Sequence, residues 1–480
     1  MPPELPDLKN VRHVHLIAIA GTAMGSLACL LAERGMRVTG SDSAGIYPPM
    51  SDQLRDAGIA VQLGFAEAHV RDPAPDLVVI GNAVRRENPE AQAVLSAGIP
   101  YLSQADALKL MFLRGKHSVV VAGTHGKTTC TSLIAWILTH SRRDPGVFVG
   151  GVAENFRKSF RLGNGAHFVV EGDEYDTAFF DKTPKFLHYE PRSVLFTSCE
   201  FDHADIYDSL AQIEEAFRSL MRIVPSDGRV LACADAPLVL EVARASSAPV
   251  ESYGFAEHAQ WQARNLTSDA HGSSFEVWRS GTQLGRLEIP MHGRYNVQNV
   301  LGCTALCHGL GVSLDETAAA LRSFAGVRRR QQVHGEASGM AVIEDFAHHP
   351  TAVRETLGAI RARYPGRVLW AVFEPRTNTS RRRVFEDDYI EALAEADRVV
   401  LAQVHGADKL TDEQRMRPER IVEALRARGV EATYSPGVDE IIEQLLKQRT
   451  GNDAALIMSN GDFGGIWKRL LGRLQELERN

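Results

Sequence analysis

Residues 118–138 read SVVVAGTHGKTTCTSLIAWIL: a short apolar run, a glycine-bearing turn, then a longer stretch with apolar residues at helical spacing. The run at 118–122 has the unbroken apolarity of a strand buried on both faces, and 128–138 predicts the helix that follows it. Between them stand Gly123, Thr124, His125, Gly126, Lys127, Thr128 and Thr129. A glycine turn at this position aims backbone N–H groups and a helix N-terminus at an anion, Lys127 adds a point charge, and Thr128 offers a hydroxyl to magnesium. The loop departs from the eight-residue phosphate-loop pattern, since Val121 stands where that pattern has its first glycine. An ordinary strand-to-helix turn would explain neither the lysine nor the two threonines.

Outward from this unit the alternation of strand and helix continues in both directions. Before it come an apolar run at 13–20 ending at Gly21, a helical stretch through Leu31, strands at 36–39 and 77–80, and a helix near Leu54. After it, strands are predicted at 167–170 and 193–197, a small antiparallel excursion at 261–290, and a helix at 296–309. Beyond the basic run 328–330 lie strands at 340–344, 368–373, 398–401 and 455–458. Strands alternating with helices specify parallel sheets with crossover helices. A chain of 480 residues exceeds one ordinary core. The expected fold is α/β with three domains: a Rossmann-like N-terminal domain over 1–112, a central phosphate-loop domain over 113–327, and a Rossmann-like C-terminal domain over 328–480.

Composition excludes several function classes. A net charge of −7 speaks against a nucleic-acid surface. No apolar run is long enough to span a membrane, and the polar, proline-containing start has none of the marks of a secretory signal, so the protein is expected in the cytoplasm. The six cysteines (Cys29, Cys130, Cys199, Cys233, Cys303, Cys307) form no CxxC pair and read as buried core rather than as zinc ligands or a disulfide framework. The oligomeric state is left open.

Two acidic segments end predicted strands. VVEGDEYD (169–176) places Glu171 just past an apolar run, and EFDHADIYD (200–208) places His203 in the same kind of position, where a parallel sheet opens its ligand crevice. A carboxylate and an imidazole beside a phosphate loop make a shell for Mg²⁺. Asp173, Glu174 and Asp176, taken singly, read as solvated loop charges.

These segments, together with HGRYN (292–296), VRRR (327–330), EDFAHHPTA (344–352) and SNGDFGG (459–465), resemble in this order the Mur ligase family of bacterial cell-wall enzymes, and the resemblance spans essentially the whole chain. It implies an ATP- and Mg²⁺-dependent ligase that activates a carboxylate as an acyl phosphate and joins it to an amine. It also implies an N-terminal domain for the UDP-sugar, a central ATPase domain and a C-terminal domain for the amine. By position in the motifs, Lys127, Glu171 and His203 would be catalytic, and Thr128, Glu171 and His203 would hold the metal. Asn296 would face adenine, and Arg330, Asp345, Phe346 and His348 would close on the nucleotide from the third domain. His348 and His349 cannot both do so, because adjacent residues diverge on a regular element; Phe346 lies on adenine or merely fills core.

Gly21, Thr22 and Gly25 form a turn suited to the UDP diphosphate, with Ser41 and Asp42 near the uridine; alone this turn would serve NAD(P) equally well. IAGTAMGSL (19–27) resembles the branch that takes bare UDP-N-acetylmuramate. EYDTAFFDKTPKFLHYEPRS (174–193) and AVFEPRTNTSR (371–381) look closest to the enzymes whose amine is the recycled murein tripeptide L-alanyl-γ-D-glutamyl-meso-diaminopimelate. Arg376 stands where the alanine-adding enzymes carry histidine, so Arg376 and Thr379 are the candidate amine-binding residues, and the run 381–383 reads as a solvated basic helix start. Arg218 replaces the lysine that several family members carbamylate as a further magnesium ligand. The alternatives are an L-alanine ligase of the same family, and a nucleotide-driven switch without ligase activity.

Overall fold

A computed structural model describes residues 5–43, 45, 46, 48 and 50–479. The expectation about a secretory signal rests partly on residues 1–4, which lie outside the described residues. Among the described residues no helix is long and apolar enough to cross a membrane.

Among the described residues three large sheets carry the chain, beside a two-stranded ribbon of Asp176–Ala178 and Asp181–Pro184. The first has five parallel strands in the order Val61–Leu63, Arg37–Asp42, His13–Ile17, Leu77–Ile80, Tyr101–Ser103. The central pair is buried throughout; Leu77–Ile80 is accordingly apolar, and the two histidines of His13–Ile17 bond to Thr39. Because successive strands run outward to one side of His13–Ile17 and then to the other, the helices leave the sheet on opposite faces, and a crevice opens past the carboxyl ends of these two strands.

The central sheet has ten strands, and His117–Ala122, which feeds the phosphate loop, lies between Ser193–Phe196 and His167–Glu171. Parallel pairing on both sides brings the carboxyl ends of the flanking strands to the loop, and with them Glu171 and the segment leading to His203. The expected excursion is present as the antiparallel strands Trp261–Asp269, Gly272–Arg279 and Thr282–Ile289 at one edge. The sequence reading contains no strand over Gly146–Ala153, whose glycines argue against one. Here they are required by close approach: a Cβ on Gly150 would come within 3.1 Å of the Glu171 carboxylate, and one on Gly151 within 2.9 Å of Thr128 Cγ2.

The third sheet runs Gln332–Ala337, Met340–Asp345, Asp453–Met458, Val368–Phe373, Arg398–Leu401, Glu431–Tyr434, parallel except for its first strand. The last strand in sequence is inserted beside the first parallel one, so the segment after Met458 emerges next to Asp345.

How the sheets meet differs between the two junctions. One apolar core runs from the helix Thr22–Glu33 into the central sheet, whereas the third sheet has separate cores on its two faces. Several side-chain contacts of the third domain with the central one are polar: Thr379 with Asp202, Asn378 with Asp205, Thr351 with Glu200, and His349 with the Phe201 carbonyl.

Candidate active site

The loop after His117–Ala122 is built from its glycines and from the neighbouring strand. Gly123 and Gly126 have φ of +133° and +80°. A Cβ at Gly123 would lie 2.2 Å from Thr197 Oγ1, and one at Gly126 would lie 2.8 Å from Asn299 Oδ1. The loop is pinned by Thr124 N–H donating to the Ser198 carbonyl (3.1 Å), His125 N–H to Ser198 Oγ (2.7 Å) and Thr197 Oγ1 to the His125 carbonyl (2.6 Å). The helix Lys127–His140 then starts with no side chain capping it, which leaves the N–H groups of its first turn, including those of Thr128 and Thr129, for an anion.

Lys127 does not point freely into this cradle. Its ammonium donates to the carbonyls of Gly123 (2.6 Å) and Thr124 (3.3 Å) and to Glu174 Oε1 (2.8 Å). Burial works against its charge, but the carboxylates of Glu174, Glu171 and Asp173 together outweigh burial and raise its pKa. Beside it, Thr128 Oγ1 donates to Glu171 Oε1 (2.9 Å), and Glu171 Oε2 accepts the Gly150 N–H (2.7 Å). Burial pushes the Glu171 carboxyl pKa upward. A hydroxyl and a carboxylate side by side at the foot of a phosphate cradle are hard oxygen donors that fit Mg²⁺, an ion usually held by few protein groups with phosphates and water.

His203 stands apart from this pair. Its Nε2 donates to Glu174 Oε1 (2.7 Å) and its Nδ1 meets Tyr175 Oη (2.9 Å), on a backbone with φ of +55°. Burial depresses imidazolium formation, but the hydrogen bond and charge of Glu174 raise the His203 pKa overall. Glu174, read from sequence as a solvated loop charge, is therefore the buried link between Lys127 and His203, with its side chain 3% exposed. A lone acid in a loop carries no signal for this; only the packing of two loops against one another creates it.

The third domain closes over one side. Arg330 lies 4.9 Å over the Phe346 ring, and its positive charge acts on both Glu171 and Asp345. Asp345 is buried, its pKa raised by that burial, and its carboxylate accepts the N–H groups of Gln331 and Ala347 (2.7 Å each). Of the two histidines, His348 is directed at Asp202 (3.8 Å), while the ring of His349 sits 4.7 Å from that of His125 in the phosphate loop. The histidine packed against the loop is thus His349, while His348, the one expected to meet the nucleotide, faces Asp202. Asn296, expected to face adenine, is buried and donates to the His292 carbonyl; Asn299, one helical turn on, abuts Gly126.

In the N-terminal domain a cleft of about 600 Å³ opens at the reversal of strand order, lined among others by Gly21, Thr22, Met24, Asp42, Phe65 and Arg85. Two expected contributors sit differently. Ser41 is fully buried and its hydroxyl donates to Glu90 of the helix Pro89–Ala97. Gly25 sits under Met50, whose sulfur would be 2.1 Å from a Cβ there, so its small size serves helix packing rather than phosphate approach.

Among the expected amine-site residues, Arg376 is one-third exposed, lies flat against Gly461 and is 3.6 Å from Glu374. Thr379 is buried and donates to Asp202, which makes it a contact between domains. The run 381–383 is not a solvated helix start: Arg381 binds the His405 carbonyl and Asn378, and Arg383 the carbonyls of Asp412 and Arg415. Arg218 pairs with Glu214 on its own helix and with Glu241 of the helix Pro237–Ala243.

Comparison with known proteins gives this geometry its family. Residues 13–115 match the Mur ligase family catalytic domain, 121–307 the Mur ligase middle domain, and 329–461 the Mur ligase glutamate ligase domain. The chain is 41% identical, over 96% of its length and 98% of the relative's, to the UDP-N-acetylmuramate–L-alanyl-γ-D-glutamyl-meso-2,6-diaminoheptandioate ligase of Escherichia coli. Among solved structures it resembles a murein peptide ligase from Psychrobacter arcticus (35% identity, TM-score 0.72, 97% and 99% of the two chains). It also resembles a UDP-N-acetylmuramate–alanine ligase from Thermotoga maritima (25%, TM-score 0.80, 98% and 100%). With a phosphate loop at the centre of the middle sheet and all three domain matches in order, the chain belongs to the Mur ligase family of ATP-dependent, amide-forming ligases.

Proposed function

We propose that the chain joins the carboxylate of UDP-N-acetylmuramate to the amino terminus of L-alanyl-γ-D-glutamyl-meso-diaminopimelate, consuming ATP and releasing ADP and phosphate. The observation that carries this reading is the 41% identity, spread over almost the whole chain, to the Escherichia coli ligase of that description.

A carboxylate is a poor electrophile because oxide is a prohibitive leaving group. The muramate oxygen therefore attacks the γ-phosphorus and ADP departs; the peptide amine then attacks the acyl carbon, loses a proton and expels phosphate. Lys127 and the first turn of the helix Lys127–His140 hold the phosphates and offset charge that develops in transfer. Magnesium on Thr128 and Glu171 would supply further neutralisation there. We assign UDP-N-acetylmuramate to the cleft lined by Gly21, Thr22 and Asp42, in the unit 1–112, and ATP to the unit 113–327. The amine falls to the unit 328–480, where a cavity of about 350 Å³ is lined in part by Glu374, His405, Asp408 and Phe463, and Arg376 lies 3.6 Å from Glu374. A tripeptide with several carboxylates and a distal ammonium suits a pocket that pairs an arginine with acids better than alanine does. The six cysteines, all free and buried, fit work in the reducing cytoplasm.

The L-alanine reading is favoured by the close structural match to the Thermotoga maritima enzyme. A product assay with ATP, UDP-N-acetylmuramate and either amine decides between them. The tripeptide is expected to be used far better, and Arg376→Ala to raise KM for the tripeptide much more than for ATP. Preference for L-alanine at equal concentration would overturn the substrate assignment, and ATP hydrolysis indifferent to UDP-N-acetylmuramate would favour a switch over a ligase.

A further inference from the structure

Glu174 carries a chemistry that no motif assigned to it. A single oxygen, Oε1, accepts from Lys127 Nζ at 2.8 Å and from His203 Nε2 at 2.7 Å, while Oε2 is buried without a hydrogen-bond partner. Tyr207 Oη donates to its main-chain carbonyl (2.7 Å), which fixes the backbone there, the side chain is 3% exposed, and His203 is held from behind by Tyr175 (2.9 Å). Lys127 has three ammonium protons and three protein acceptors: two loop carbonyls and this carboxylate. To reach a phosphoryl oxygen the ammonium must exchange at least one of them, and Glu174 is the one that bears the same charge as phosphate.

We propose that Glu174 is a positioning residue that ties Lys127 to His203 through one carboxylate oxygen and competes with the γ-phosphoryl group for the ammonium. Competition sets nucleotide affinity below what the loop alone would give. In return, Lys127 and His203 are held in fixed relation when the phosphoryl group moves, and a displacement of about 1 Å in such a group can cost on the order of 100-fold in rate. The inference rests on Lys127 acting on the phosphates.

The test is Glu174→Gln, which keeps the shape and removes the charge. Binding of a fluorescent ATP analogue, with and without Mg²⁺, is expected to tighten by about tenfold, the effect of one charge-assisted contact no longer competed for. The kcat for ligation is expected to fall by about tenfold or more, so that affinity and turnover move in opposite directions. A purely structural role predicts instead a lower melting temperature with weaker or unchanged nucleotide binding, and either result overturns the proposal. Should the glutamine variant fail to fold, Glu174→Asp serves: its shorter arm cannot reach both partners, so tighter binding with slower turnover is again expected, and wild-type values for both overturn it. Lys127→Ala separates the two levels. If it leaves nucleotide binding and ligation intact, the assignment of Lys127 fails; if it abolishes ligation while Glu174→Gln binds nucleotide as wild type does, only the role of Glu174 fails.

Discussion

Thr379 Oγ1 donates a 2.8 Å hydrogen bond to Asp202 Oδ1, and each residue is only 3% exposed. The same carboxylate oxygen accepts the N–H of His203 (2.7 Å), whose backbone lies in the left-handed region. A side chain of the third domain thus helps fix the residue before His203 in the central domain. Thr379→Val, nearly isosteric, removes the donor beside a buried charge and is expected to cost about 1–3 kcal/mol in thermal or denaturant unfolding. Thr379→Ser is expected to restore most of it. An unchanged melting transition in the valine variant would show that this contact between domains holds nothing.

Glu171 and Thr128 present adjacent oxygens at the loop. Glu171→Ala is expected to raise the Mg²⁺ concentration for half-maximal ligation by about tenfold or more, in the range metal sites lose when a supporting group is removed. His203→Ala is expected to raise it less, because that ring stands apart from the pair and is engaged by Glu174 and Tyr175. If magnesium titrations of both variants overlay the wild-type curve, neither residue serves the metal.

His349 is buried against the phosphate-loop histidine, and its pKa is pushed down from 6.5 to about 4 by burial first and by His125 second. Between those two values the unfolded chain binds a proton that the folded chain refuses. Stability fully present above pH 6.5 is therefore lost as pH falls towards 4, by about 3 kcal/mol at most. His349 also caps the helix Pro350–Arg363 by accepting the Thr351 N–H. His349→Asn keeps a cap acceptor without a titrating group. Its unfolding free energy is expected to depend less on pH across this window than that of wild type, and a slope equal to wild type would assign the acid sensitivity elsewhere.

Gly25 faces Met50 with no room for a methyl group. Gly25→Ala is expected to destabilise the fold by roughly 1–3 kcal/mol through overpacking. Adding Met50→Ala should recover part of the loss, since the two changes relieve one contact. Additive losses in the double variant would mean that the clash is not what the alanine costs.

Much of the fold was legible along the chain. Strands Leu77–Ile80, Val368–Phe373 and Arg398–Leu401 coincide with their apolar runs, because a strand covered on both faces has no polar position to break the pattern. The short or mixed segments Val250–Gly254 and Glu431–Tyr434 become strands only by pairing with a formed neighbour. At the site, the loop from Gly123 to Thr129 and the neighbourhood of Glu171 followed from residue type and position alone. Gly150 and Gly151 did not, because glycine in a strand has meaning only through what approaches it.

By itself the sequence determined the family, the three α/β units and the phosphate loop, since these depend on local order: apolar periodicity, turn residues and motifs in a fixed succession. The tertiary structure decided which neighbour of each motif does the touching. It brought His349 and Asn299 against the loop, bonded the Ser41 hydroxyl to Glu90 and joined Lys127 to His203 through Glu174. One residue along a strand reverses a side chain, and one along a helix turns it by about 100°. A linear motif therefore fixes a region, and only the packing of separate segments selects the atom.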